Sequence, residues 1–134
     1  MQAVLLSSDL MLVSVAQGAA DRHGAILAVA GNVEQAVAAI GDEATGLVVI
    51  DLRLPGLDVA AFVRRVRGAK PPATADLRQA AKIVACGPHV HKQSLAAAAA
   101  GCDEVITRGE FDGRIHTLLA ELTAPAATGR PAEG

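Results

Sequence analysis

The sequence predicts a single α/β domain in which a parallel sheet is covered by helices on both faces. Short aliphatic and β-branched runs alternate with longer Ala- and Leu-rich segments of helical spacing, as in chains built from βαβ units. Residues 47–50 are apolar without interruption, which is typical of a strand buried on both faces. The chain has 134 residues, 51% of them hydrophobic, which fits one domain with its own core.

The predicted strands are five short apolar runs, and the predicted helices fill the spaces between them. The strands cover residues 4–6, 25–30, 47–50, 82–86 and 104–107. Three helices lie between a polar residue that can cap the first turn and a glycine that ends the last: Asp9 and Gly24, Asn32 and Gly41, and Asp58 and Gly68. Two more run from Ser94 to Ala100 and from Phe111 to Leu122. This alternation requires crossovers that place helices on both faces of the sheet.

The ordered domain is expected to span residues 1–123. Residues 124–134 are rich in Ala, Pro, Gly and Thr and predict a disordered tail or the start of a linker. The segment 69–81 is long for a connection between a helix and a strand, and Pro71 and Pro72 prevent the preceding helix from continuing. We expect an extra turn over residues 76–81.

Charge and composition exclude several classes of function. The 12 Lys and Arg against 14 Asp and Glu give a net charge of −2, so there is no broad basic surface for nucleic acid or an anionic membrane. Aromatic residues make up only 1% of the chain, which leaves almost nothing to stack on bases. The N-terminus does not resemble a signal peptide, and no run of about 20 apolar residues predicts a transmembrane helix. We therefore expect a soluble cytoplasmic protein without nucleic-acid or membrane partners.

Candidate functional residues follow the carboxyl ends of the predicted strands, where open parallel sheets bind ligands. They are Ser7, Ser8 and Asp9 after the first strand, Asp51 after the third, Cys86 after the fourth and Arg108 after the fifth. The sequence has no Walker or dinucleotide-binding motif and no nucleophile elbow. We therefore do not expect an enzyme.

Two histidine-containing patterns have a structural and a functional interpretation. Cys86, His89 and His91 have a spacing that could hold Zn²⁺, but a fourth ligand is not evident. We favour a buried strand-end thiol followed by loop histidines. His23 and His116 are expected to be solvated helix residues.

Residues 47–58, Leu-Val-Val-Ile-Asp-Leu-Arg-Leu-Pro-Gly-Leu-Asp, resemble the phospho-acceptor segment of bacterial response-regulator receiver domains. The segment is similar to that family's hydrophobic strand, acceptor aspartate and Pro-Gly turn, and the resemblance implies that Asp51 is the acceptor. Residues 99–108, Ala-Ala-Gly-Cys-Asp-Glu-Val-Ile-Thr-Arg, are similar to the family's Ala-Gly segment and the lysine that follows its fifth strand. The resemblance covers about residues 3–122 and implies a flavodoxin-like sheet in the strand order 2-1-3-4-5.

Most other positions of the family's site are altered in this chain. The acidic pair that helps to hold Mg²⁺ in the family corresponds to Ser7 and Ser8, so two negative charges are missing. A shift of the alignment by one residue would instead bring Ser8 and Asp9 to the site. The family's Ser or Thr after the fourth strand corresponds to Cys86, and its lysine to Arg108.

Two further positions belong to the altered set. Arg53 follows the acceptor position within the motif, and Val105 stands where the family usually has an aromatic residue that changes rotamer. A β-branched aliphatic side chain cannot make the same swing.

The resemblance therefore implies a degenerate receiver of two-component signalling that acts through protein contact, with its phosphorylation cycle weak or lost. One alternative is a competent single-domain response regulator phosphorylated on Asp51. Another is a flavodoxin-like domain that binds a small molecule. No cofactor or metal is expected, except weakly bound Mg²⁺ at Asp51 if the site is functional.

The expected partner is a protein, either a histidine kinase or a downstream effector. The resemblance points to the face formed by the fourth helix, fifth strand and fifth helix, where a homodimer is an alternative. Because Arg108 replaces a lysine and pairs readily with carboxylates, we also expect it to pair with Asp51.

Overall fold

The structure is a computed structural model that describes residues 1–68, 81–87 and 92–124. Strands and helices alternate along the chain. They are β1 (Gln2–Leu6), α1 (Leu10–His23), β2 (Ile26–Ala30), α2 (Val33–Asp42), β3 (Thr45–Asp51), α3 (Val59–Gly68), β4 (Lys82–Cys86), α4 (Lys92–Ala99), β5 (Glu104–Ile106) and α5 (Arg108–Thr123).

The strands form one parallel sheet in the order β2-β1-β3-β4-β5. The predicted fold class and strand order are confirmed. Strand order reverses between β1 and β3, because the chain first extends the sheet to β2 and then returns to the other side of β1. The carboxyl ends of β1 and β3 therefore lie side by side at the point where such sheets form their sites.

Alternate residues of the central strands face opposite sides of the sheet and produce two apolar cores. One core combines Val4, Leu6, Val48 and Ile50 with side chains of α2, α3 and α4, including Ala36, Phe62 and Ala97. The other combines Ala3, Leu5, Leu47 and Val49 with side chains of α1 and α5, including Ala16 and Phe111. Because both faces are covered, β1 and most of β3 are buried, as the uninterrupted apolar run predicted.

The predicted N-terminal caps of the first three helices are present, but the predicted end of the second helix at Gly41 is wrong, because α2 continues to Asp42 and its C-cap is Glu43. Asp9, Asn32 and Asp58 each accept a hydrogen bond from a backbone N–H group in the first turn of the following helix. Gly24 ends α1 in the left-handed region, with φ of 65°. These caps fix where α1 and α3 begin, on either side of the candidate site.

Helix α5 begins at Arg108, earlier than the predicted start at Phe111. The Thr107 hydroxyl accepts from the Glu110 N–H at 3.2 Å, and the Glu110 carboxylate accepts from the Thr107 N–H at 2.8 Å. This capping box outweighs the low helix propensity of Gly109 in the first turn. Arg108 therefore lies on a helix rather than in a loop.

Some expectations fall outside the described residues. The predicted turn over 76–81, except for Ala81, and the predicted tail beyond Ala124 are among them. Within the described part of the chain, no helix is both long enough and apolar enough to cross a membrane.

Candidate functional site

The parallel register brings the sequence-predicted residues to one edge of the sheet. Leu6 pairs with Ile50, so Ser7 and Asp51 are the next residues on neighbouring strands. Asp51 in turn pairs with Cys86, and Cys86 with Ile106. Strand ends that are far apart in sequence thus form one site at the carboxyl edge.

Asp51 is the buried carboxylate of this site, with 3% of its surface exposed. Its Oδ2 accepts a hydrogen bond from the Ser7 hydroxyl at 2.7 Å, and its Oδ1 accepts from the Arg53 N–H at 2.9 Å. The Ser7 Oγ also accepts from the Asp9 N–H at 3.0 Å. Both of these donors are neutral, so within residues 1–68, 81–87 and 92–124 the Asp51 carboxylate is oriented by hydrogen bonds from neutral groups.

Ser7, rather than Ser8, is the residue that meets Asp51. Ser7 is 2% exposed, whereas the Ser8 side chain faces solvent. The structure thus places Ser7 beside Asp51, which corresponds to the alignment without the one-residue shift. A neutral hydroxyl occupies the position next to Asp51, as that alignment implied.

Backbone contacts hold the loops around Asp51 close together. The Leu52 N–H donates to the Cys86 carbonyl at 2.9 Å and extends the pairing of β3 with β4 beyond the strand end. A Cβ atom at Gly87 would lie 2.9 Å from the Leu52 Cβ, so only glycine fits this approach without a shift. Gly56, with φ of 74°, forms the turn that leads from the site into α3.

Arg108 forms an ion pair with Asp9, with 2.8 Å between its Nη2 and Oδ2 of Asp9. The expected pairing of Arg108 with Asp51 is wrong. The physical reason is that both oxygens of Asp51 already accept from Ser7 and Arg53, while Asp9 lies at the partly exposed rim, where an ion pair loses less hydration. The second terminal nitrogen of the guanidinium, Nη1, is buried and has no hydrogen-bond partner in the described residues.

Asp9 uses its two oxygens for different purposes. Oδ1 caps α1 by accepting from the Met11 and Leu12 N–H groups at 2.9 and 3.3 Å, while Oδ2 holds Arg108. Desolvation raises the pKa of Asp9, but the Leu12 N–H, Arg108 and the Met11 N–H together leave it below its ordinary value. Asp9 is thus a helix cap, as expected, and also part of the site.

Cys86 is a protonated thiol within this group of charges. It is 1% exposed, and burial raises its pKa to about 11. The negative charge of Asp51 contributes to this rise, while the positive charge of Arg108 opposes it. A protonated thiol is neither a nucleophile nor a metal ligand at neutral pH.

The zinc interpretation gains no support from the described residues. His89 and His91 lie outside them. Among the residues that are described, no group of three or more His, Cys, Asp and Glu side chains could hold a metal ion.

The histidines expected to be solvated instead contact each other. His23 Nε2 at the end of α1 lies 3.2 Å from His116 Nδ1 on α5, and both residues are partly buried. The contact joins two helices that pack on the same face of the sheet. The two histidines are 93 positions apart in the sequence, so no local sequence pattern could have predicted their contact.

Comparison with solved structures places this geometry in a known fold. The receiver domain of a sensor histidine kinase from Pseudomonas aeruginosa, solved with a magnesium ion coordinated in its active-site cleft, superposes with a TM-score of 0.72 at 16% identity, covering 90% of this chain and 94% of that one. A response regulator from Hahella chejuensis gives 0.72 at 20% identity, covering 95% and 98%. This chain has the receiver fold.

A third receiver-fold structure was solved with a partner. The receiver domain of the response regulator Ssk1 from Saccharomyces cerevisiae, crystallised with the histidine phosphotransfer protein Ypd1, gives a TM-score of 0.69 at 18% identity, covering 94% of this chain and 92% of that one. No protein-family model and no curated protein matches the sequence. At these identities the likeness establishes the receiver fold and leaves the activity to be argued from the site.

The residues of this site do not fit a magnesium ion well. Mg²⁺ favours carboxylate ligands in octahedral geometry. Here a serine hydroxyl stands beside Asp51, both oxygens of Asp9 are engaged, and Cys86 is protonated. A cation is already present in the form of Arg108.

Proposed function

We propose that this protein is an atypical receiver of two-component-type signalling that acts through protein–protein contact, with phosphorylation of Asp51 weak or lost. The observation that carries the proposal is the environment of Asp51, a buried carboxylate whose donors are the neutral Ser7 hydroxyl and Arg53 N–H. Accepting a phosphoryl group would add negative charge beside it. Such charge needs preorganised positive charge for its stabilisation.

The cation that follows the fifth strand is engaged in a way that disfavours this chemistry. Arg108 is tied to Asp9, and turning it toward a group on Asp51 would break an ion pair of 2.8 Å. The proposal therefore includes no catalytic step. In it the domain is a binding module whose site is held in one hydrogen-bonded arrangement.

Two exposed apolar patches support a protein partner. Leu10 and Met11, 83% and 73% exposed, begin α1 directly beside Asp9. Leu95 on α4 and Val105 on β5 are 64% and 37% exposed, on the face where the sequence resemblance places partner or dimer contacts. Large apolar side chains in such groups favour association. That the Ssk1 receiver domain crystallised with a histidine phosphotransfer protein supports a protein partner of that kind.

The cysteines support a reducing compartment for this activity. Cys86 and Cys102 are both free, and their side chains are buried and partly buried. Free thiols of this kind are usual in the cytoplasm. We therefore place the proposed signalling contact there.

Addition of Mg²⁺ and beryllofluoride, which mimics phosphoryl-aspartate, tests the proposal. Amide NMR shifts of Ser7, Asp51 and Arg108 are expected to stay unchanged during the titration. Asp51→Asn is the matched control, because it keeps the shape of the side chain and removes the acceptor. Saturable shifts in the unmodified protein that spread to α4 and vanish in Asp51→Asn would overturn the proposal.

Such a result would instead establish the second candidate, a competent single-domain response regulator. The observation that favours this candidate is the intact acceptor segment. Asp51 ends β3, and the turn at Gly56 leads into the capped start of α3, as the sequence resemblance implied.

A further inference from the structure

We infer that the guanidinium of Arg108 is the resident cation of this site, and that its ion pair with Asp9 keeps divalent ions out. The inference deepens the proposed function, on which it rests for the view that the site works without a metal. Its consequence is specific. Removing Arg108 should create divalent-cation binding that the unmodified protein lacks.

The first step is that Arg108 belongs to the same group of charges as Asp51. Arg108 binds Asp9, the Asp9 N–H donates to the Ser7 Oγ, and the Ser7 hydroxyl donates to Asp51, so a continuous set of contacts joins the guanidinium to the buried carboxylate. The charges of Asp51 and Arg108 also both act on the pKa of Cys86. Asp51 and Arg108 do so in opposite directions. The guanidinium is therefore close enough to offset the negative charge of the buried carboxylate even though it is not bound to it.

The second step is that the positive charge is fixed inside the site. Nη2 is held by Asp9 at 2.8 Å, and Nη1 is buried from solvent. The capping box of Thr107 and Glu110 sets the start of α5, so the backbone position of Arg108 is fixed as well. A cation built into the fold loses no translational freedom when it occupies the site, whereas a dissolved ion does.

The third step is the competition between the two cations. A divalent ion would need the carboxylates of Asp9 and Asp51, and Oδ2 of Asp9 is the oxygen that Arg108 already uses. The ion would also have to approach a guanidinium that cannot lose its charge. Like charges at such short range oppose each other strongly when they are partly shielded from water.

Removal of Arg108 reverses this balance. Asp9 and Asp51 would then be two carboxylates at the same edge of the sheet, and Asp9 would have lost its cationic partner. Removing the positive charge of Arg108 is expected to strengthen the binding of a divalent cation by about tenfold or more. A neighbouring charge shifts a pKa by a similar factor.

The test measures binding of Mg²⁺ alone by calorimetry, and broadening of amide NMR signals by Mn²⁺, with the full chain and without any phosphoryl donor. The unmodified protein is expected to show no saturable binding. Arg108→Ala is expected to bind Mg²⁺ saturably, with Mn²⁺ broadening centred on Asp9 and Asp51. Arg108→Gln is measured in parallel, since its longer side chain protects against a packing defect that could unfold the alanine variant.

Three controls separate this inference from a general charge effect. Arg108→Lys keeps the positive charge and should gain less binding than Arg108→Gln. Arg108→Ala combined with Asp9→Asn removes one carboxylate and should lose the gained binding. Arg65→Ala removes the same charge from the exposed pair with Glu34 and should behave as the unmodified protein.

The inference is wrong if the unmodified protein binds Mg²⁺ as tightly as Arg108→Ala, or if a folded Arg108→Gln variant gains no affinity. These outcomes are distinct from a failure of the proposed function. A beryllofluoride response on Asp51 would overturn the proposed function, whereas the gain of metal binding on removal of Arg108 is measured without that ligand.

Discussion

The acidic residues at the two edges of the sheet, where its strands begin and where they end, have different kinds of hydrogen-bond donors. At the amino edge, Glu104 at the start of β5 pairs with both Arg114 and Lys82. Beside it, the Asp103 carboxylate accepts from Arg67 at 3.1 Å and from the Ile83 N–H at 2.7 Å. Glu104 and Asp103 therefore each form an ion pair with at least one basic side chain.

At the carboxyl edge, the donors to the more deeply buried acid are neutral groups among the residues that the structure describes. Asp51 is 3% exposed and accepts from Ser7 and Arg53, while Arg108 is bound to Asp9 instead. The comparison teaches that the amino edge is built to fasten strands together, whereas the carboxyl edge retains a buried charge that packing alone would not require. Its position beyond the carboxyl ends of parallel strands is where such sheets form their functional sites.

The largest expected effect comes from adding a second charge at the carboxyl edge. Ser7→Asp would place a carboxylate against Asp51, at a position that is 2% exposed. We expect a loss of about 3–5 kcal/mol in the free energy of unfolding, because an unpaired charge would be buried. Urea unfolding measures the loss.

Ser8→Asp is the matched control for this change, since Ser8 is exposed and precedes the same helix. It should leave stability nearly unchanged. Equal losses in the two variants would mean that the position next to Asp51 has no special sensitivity to charge.

A smaller effect is expected when the neutral donor is removed. Ser7→Ala deletes the hydroxyl that donates to Asp51 at 2.7 Å and leaves one oxygen of a buried carboxylate without that donor. We expect a loss of about 2 kcal/mol, the scale of a hydrogen bond to a charged group. Thermal and urea unfolding of Ser7→Ala and Ser8→Ala measure the difference, and a neutral Ser7→Ala would show that this hydrogen bond does not hold Asp51.

At the amino edge, the expected effect depends on pH. The hydrogen bond from Arg114, with a further contribution from Lys82, lowers the pKa of Glu104 to about 2, while partial burial opposes them. Because the folded-state pKa is depressed, the stabilisation is complete above the ordinary value of 4.5 and is lost as the pH falls through about 2.

Glu104→Gln removes this pH dependence. We expect the variant to be less stable by about 1 kcal/mol at pH 7, since a partly exposed ion-pair network contributes at that scale. The difference from the unmodified protein should shrink in unfolding measurements between pH 4.5 and pH 2. A difference that stays constant over this range would contradict the role of the Glu104 charge.

The sequence was sufficient for the fold and for the positions of the site residues. The alternation of strands and helices and the cap at Asp9 follow from periodicity and capping chemistry, which are local patterns. The strand order and the position of Ser7 next to Asp51 were implied by the resemblance to receiver domains. The early start of α5 could also have been predicted from the sequence, because Thr107 and Glu110 have the spacing of a capping box. The low helix propensity of Gly109 in the first turn weakens that signal.

The sequence did not allow us to predict which charged and histidine side chains pair with each other. Arg108 has Asp9 and Asp51 near it, and which one it binds depends on side-chain reach and on which oxygens are already engaged. The contact of His23 with His116 likewise depends on how α1 packs against α5. These pairings are set by tertiary geometry, which a single sequence specifies only through the complete fold.

The smallest expected effect concerns an ion pair outside both edges. Arg65 on α3 binds Glu34 on α2 at 2.7 Å, and 44% and 79% of their side-chain surfaces are exposed. The charge of Arg65 lowers the pKa of Glu34, yet solvent and salt screen such a pair. Glu34→Gln should therefore leave the melting temperature unchanged within error at pH 7, alongside a measurable drop for Glu104→Gln. Equal losses of stability in Glu34→Gln and Glu104→Gln would contradict this expectation. They would mean that the two cations around Glu104 stabilise the fold no more than the single exposed partner of Glu34 does.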